Sequence, residues 1–144
     1  MYLKWAEETI TDWSEENIER QYARGFVFTR LGKGVMQQTR SLRVDLSKFE
    51  LSSENKRILR KVGNVQFAIC KLPYEKYNWQ IGKMAKDFYD RFGKGTFSAN
   101  KIKELLTEES KTNFNTLLKF NNGYSICYVS NNIVHYAYPF YTVE

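Results

Sequence analysis

At 144 residues, 42% of them hydrophobic and 16% aromatic, the chain is long enough to bury one real core. Its 26% charged residues exclude a disordered polyelectrolyte, and the net charge of +6 points to anionic partners. No apolar run reaches the ~18 residues of a membrane span, and Glu7 and Glu8 stand where a signal peptide needs an apolar stretch, so a cytoplasmic protein with no membrane partner is expected.

Residues 1–13 show no clear period, and Trp5 and Trp13 read as packing anchors. Ser14 suits the N-cap of a helix over 15–24, with Glu15 and Glu16 in its first turn and Ile18 and Tyr22 as its buried edge. Gly25 follows as the residue that ends the helix in a left-handed conformation. Residues 26–30 and 35–46 predict an antiparallel pair joined by Leu31-Gly32-Lys33-Gly34. The two glycines resemble part of a phosphate loop, but no helix follows them, so they read as a hairpin turn. Along the second strand, alternation puts Leu42, Val44 and Leu46 toward the core and Arg40 at the wetter start. Arg43 and Asp45 share the other face and are placed to pair.

Ser52 or Ser53 caps the next helix. At 100° per residue, Lys56, Arg57, Arg60 and Lys61 span an arc of about 140°, with Ile58, Leu59 and Val62 opposite. One side is expected to anchor on a core and the other to present four cations. Residues 65–72 form a short apolar run expected to be a buried strand ended by Pro73. A helix is predicted from 74 or 75 to 92, with Ile81, Ala85, Phe88 and Phe92 as its core stripe, closed by Gly93 and Gly95. Ser98 caps a further helix with Ile102, Leu105 and Leu106 inward.

From Thr116 onward the pattern alternates. Residues 116–120, 124–129 and 133–140 predict a three-strand antiparallel meander, with Asn122-Gly123 and Ser130-Asn131-Asn132 as turns. Its aromatic residues suit cross-strand packing, with a base-stacking platform as the competing role. His135, the one histidine, reads as structural rather than as a catalytic base. Cys70 and Cys127 lack partners at metal-ligand spacing and read as buried free thiols. The whole describes one α+β domain over 1–144, with a mixed, mostly antiparallel sheet, helices packed on it and a C-terminal meander.

Charge is concentrated rather than spread. Residues 20–61 hold eleven Lys and Arg against three acids, a net of +8 that exceeds the +6 of the whole chain. Arg40, Arg43, Lys56, Arg57, Arg60 and Lys61 are therefore candidate nucleic-acid contacts.

The order Gly25-Phe26, Arg30, Gly32, Gln38-Thr39-Arg40, then Asp45 through the basic helix Ser52–Lys61, resembles the arginyl-tRNA–protein transferase family, also called aminoacyl-tRNA–protein transferases. The likeness covers roughly residues 15–62. It implies a fold similar to the first half of a GNAT-type acyltransferase. It also implies transfer of an amino acid from charged tRNA to a protein N-terminus, with aminoacyl-tRNA as donor and no other cofactor. In such folds a Gly-rich helix start follows the meander and cradles the anionic donor. Here Tyr141-Thr142-Val143-Glu144 stands at that point, so the chain is expected to be the first half of a larger domain or a relative without the donor half. Family members carry cysteine pairs near the start of this region. The corresponding Gly34–Thr39 has none, so no metal site is expected there.

The reaction needs no side-chain nucleophile, because the ester is already activated. Asp45 is the candidate acid/base or amine ligand. Two other classes compete: a non-catalytic RNA-binding or protein-interaction module, and a small-molecule N-acetyltransferase. A bare sheet edge left by the meander would suit a homodimer.

Overall fold

The structure, a computed structural model, describes residues 3–143. It is an α+β fold of four helices and two antiparallel sheets among the described residues. In chain order the elements are β1 (Lys4–Thr9), α1 (Glu15–Ala23), β2 (Phe26–Phe28), β3 (Val35–Thr39), α2 (Ser53–Val62), β4 (Phe67–Lys71), α3 (Trp79–Asp90), α4 (Ala99–Thr107), β5 (Thr116–Phe120), β6 (Gly123–Val129) and β7 (Val134–Tyr141).

Helix starts follow the capping chemistry. Ser14 Oγ accepts from the Asn17 N–H, Ser98 Oγ from the Lys101 N–H, and Asn78 Oδ1 from the N–H groups of Gln80 and Ile81. Gly25 ends α1 at φ +88°, as expected. Ile18, Ile81, Ala85, Phe88, Ile102, Leu105 and Leu106 are all buried. Helix α3 starts later than predicted, because the Tyr74 N–H donates to the Leu106 carbonyl and holds the chain against α4. Phe92 lies beyond its end and is exposed.

The meander forms with the predicted pairing and joins β4, in the order β4-β5-β6-β7. The second sheet is β1-β3-β2. Its strand β1 escapes sequence reading because Lys-Trp-Ala-Glu-Glu-Thr carries no alternation and lies at an edge, largely exposed. The pairing slips between Lys4 and Ala6, opposite Thr39 and Gln38, so Trp5 occupies a bulge.

One buried cluster spans both sheets: Phe26, Phe28 and Met36 from the small sheet meet Leu117, Ile126, Tyr128 and Phe140 from the large one. The Phe28 and Tyr128 rings pack edge-on at 5.1 Å, and Trp13 stacks on Phe28 at 5.7 Å. A polar clamp reinforces the joint. Buried Asn113 donates from Nδ2 to the carbonyls of Thr29 and Gly32, and its Oδ1 accepts from the Gly34 N–H at 2.7 Å. Gly34 sits at φ +79°, and a Cβ there would fall 2.8 Å from the Ile10 carbonyl oxygen. Its N–H is committed to Asn113 Oδ1 and is not a phosphate donor.

Three expectations fail in one region. The predicted strand over 35–46 stops at Thr39, and Leu42, Val44 and Leu46 are exposed at 93%, 49% and 74%. Both neighbours run out there: Thr39 faces Lys4 and Gln38 faces Phe26, the ends of β1 and β2. Strand β4 is not buried but an edge, with Phe67 and Ile69 exposed. Helix α2 forms with a reciprocal Ser52–Asn55 capping box, yet Ile58, Leu59 and Val62 anchor on no core.

Asn113→Ala leaves the Gly34 N–H and two carbonyls without their partner in a closed site. The expected loss is about 2–4 kcal/mol, read as a lower urea midpoint with an unchanged slope.

Candidate nucleic-acid interface

The fold sorts the basic stretch into structural and free cations. Arg24 pairs with Glu8 at 3.1 Å. Arg30 donates to the Thr96 carbonyl and stacks 4.0 Å from the Phe97 ring centre. Lys33 donates to the carbonyls of Glu109 and Thr112 and lies over Trp13. These three make structural contacts across the fold, although Arg24 and Lys33 stay exposed.

On α2, Arg57 donates through Nε to Glu54 at 2.7 Å and through a second nitrogen to the same carboxylate. That pair holds the Glu54 carboxyl below its ordinary range. It also takes Arg57 out of the set of unpaired cations. Lys56, Arg60 and Lys61 are exposed and form no ion pair among the described residues, and the same holds for Arg40 and Arg43 before the helix. Lys56, Arg60 and Lys61 share one side of α2. Arg40 and Arg43 lie on the extended segment that leaves β3.

Asp45, the candidate acid/base or amine ligand, closes a turn. Its Oδ1 accepts from both the N–H and the hydroxyl of Ser47, and the Asp45 carbonyl accepts from the Lys48 N–H, which closes a turn. The hydrogen bonds from Ser47 hold its carboxyl below the usual range, with Arg43 adding a smaller effect. Arg43 acts on Asp45 electrostatically but makes no close pair with it. A general base near neutrality needs the opposite shift.

His135 has a structural environment. Its Nδ1 lies 2.8 Å from Tyr22 Oη, which accepts from the Phe28 N–H at 3.4 Å. The hydroxyl and Nδ1 share one hydrogen bond, whose direction is set by the imidazole tautomer. Phe114 packs against the ring. Burial pushes the His135 pKa down to about 4 and raises that of Tyr22. Cys127 is buried and free, and its burial raises the thiol pKa, while Cys70 is half-buried. Trp5, read as a packing anchor, is instead 62% exposed on its bulge. Trp13, in the segment between β1 and α1, stacks on Phe28 instead, and no local sequence signal marks the slip that exposes Trp5.

Comparison with protein-family models, with curated proteins and with solved structures finds no match to this chain. No described helix is long and apolar enough to cross a membrane.

The neutral, buried imidazole sets a pH dependence. The unfolded chain takes up a proton below about pH 6.5, whereas the folded chain resists it to about pH 4. Stability therefore falls as pH drops through this window, by about 3 kcal/mol at its lower end. His135→Gln keeps an acceptor for Tyr22 but cannot titrate. Its urea midpoint should lose less between pH 6.5 and 4.5 than that of the parent; equal losses would contradict this origin.

Proposed function

We propose that this chain binds tRNA through the cations around α2 and takes part in transferring an amino acid from charged tRNA to a protein N-terminus. The observation that carries the reading is the group of exposed lysines and arginines without carboxylate partners: Arg40, Arg43, Lys56, Arg60 and Lys61. They lie in the stretch whose motif order resembles the arginyl-tRNA–protein transferases. In this reaction a neutral α-amine attacks the aminoacyl ester carbonyl. A C–N bond forms, the ester C–O bond breaks, and the amine's proton ends on the departing ribose oxygen. The cations hold phosphates, and Asp45 serves the turn rather than the proton transfer. GNAT-like architecture belongs to the same proposal.

Arg60→Gln with Lys61→Gln should weaken tRNA binding and reduce the salt slope, log K against log salt, by about 1.5. Helicity should persist, since both residues are exposed and outside the cap. Unchanged binding at matched salt would refute the surface. Transfer of labelled amino acid from charged tRNA to a peptide tests the chemistry, with acetyl-CoA as the competing donor.

A second reading rests on β4. It is an edge strand, and Phe67 and Ile69 project from it exposed. We propose that a second copy pairs along this edge. Sedimentation should show a concentration-dependent dimer that Phe67→Lys with Ile69→Lys converts to monomer. A parent that stays monomeric across the range overturns this reading.

A further inference from the structure

An open groove of about 520 Å³ lies where β1, the end of α1 and the end of β3 meet. Trp5, Tyr22, Gln38, Thr39, Ser41 and Arg43 are among the residues that line it. Its volume is in the range of small-molecule sites. Three observations give it a chemical preference.

The first is the bulge. Lys4 faces Thr39 and Ala6 faces Gln38, so Trp5 has no partner in the ladder. Bulges re-aim side chains, and this one leaves a large indole 62% exposed at the groove rather than packed. The second is charge. Arg43 is the one charged residue of the lining and forms no close ion pair among the described residues. Asp45, whose carboxyl Arg43 helps to hold low, is bonded to Ser47 and lies outside the lining. The third is unused hydrogen-bonding capacity. Gln38 donates from Nε2 to the Arg24 carbonyl, while its Oε1 and the Ser41 hydroxyl form no hydrogen bond among the described residues. Thr39 donates to the Leu3 carbonyl and keeps its acceptor side.

An aromatic face, one cation and several acceptors around one groove match a planar base joined to a phosphate. We infer that this groove binds a single nucleotide unit, with the base stacked on Trp5 and the phosphate against Arg43. The unit is either a free mononucleotide or the end of an RNA strand. The inference does not depend on aminoacyl transfer, since a free mononucleotide tests it without tRNA.

The three tryptophans supply the reporters. Indole N–H signals of the full chain are followed while adenosine 5′-monophosphate, adenosine, inorganic phosphate or a single-stranded RNA hexamer is added. The monophosphate should shift the Trp5 signal and leave Trp79 unmoved, which is exposed on α3 away from the groove. Adenosine alone should bind at least about fivefold more weakly. Trp5→Ala, followed through the Ser41 and Arg43 backbone signals, and Arg43→Gln should each weaken binding about fivefold or more. Both positions are exposed, and unchanged remaining amide signals establish that the variants fold. A hexamer that shifts Trp5 at much lower concentration than the monophosphate identifies an RNA end as the source; the reverse identifies a free nucleotide. The inference is overturned if neither moves Trp5 up to about 10 mM, where the binding free energy has fallen below about 3 kcal/mol. It is also overturned if Trp79 moves equally, or if Arg43→Gln binds as the parent does.

Discussion

Among the described residues the two sheets share no hydrogen-bonded ladder, so something else must hold them in register. Asn113 does this with one side chain. Its amide meets a donor at Gly34 and acceptors at Thr29 and Gly32, in a buried site where water does not compete. The turn it grips needs a residue without Cβ at Gly34, because the backbone of Ile10 passes too close for anything else. Lys33 and Arg30 extend the grip to the carbonyls of residues 109, 112 and 96. The aromatic cluster of Trp13, Phe28, Tyr22 and Tyr128 then closes over the same joint.

Beyond that joint the chain behaves differently. Eleven of its exposed large apolar side chains fall between Leu42 and Ile69. A ten-residue helix is only marginally stable in water by itself, so α2 leans on its capping box and the Glu54–Arg57 pair for local support. Its apolar side and its cationic side face opposite ways, so a polyanion on one leaves the other open. An exposed apolar surface of this extent belongs with contact sites rather than with ordinary solvent-facing protein.

The titratable groups, buried in the sheet or exposed like Asp45, are each held in one state. Tyr22 and His135 are tied to each other and to the backbone of Phe28, and desolvation keeps the imidazole neutral well below neutrality. Cys127 is held as a thiol in the sheet. Asp45 is ionised and engaged in a turn. Each environment stabilises one protonation state, whereas acid–base catalysis needs two of similar energy.

Local chemistry was legible where it acts over a few residues. Ser14, Ser98 and the Ser52 region announced helix starts, the 3.6-residue stripes of α3 and α4 named their buried residues, and alternation gave the meander. The concentration of cations in 20–61 was equally plain, as was their shared side on α2. None of this depends on what lies across the fold. Partnership does. Whether Leu42 is core or surface depends on whether a strand lies beside Thr39, and β1 and β2 both end there. Whether Arg30 and Arg57 are free depends on a distant carbonyl and a nearby carboxylate, and Trp5 becomes a groove wall only through a one-residue slip in pairing. Periodicity and charge are properties of the chain, so the sequence alone determined them; neighbours are properties of the packed molecule, and only tertiary structure could assign them.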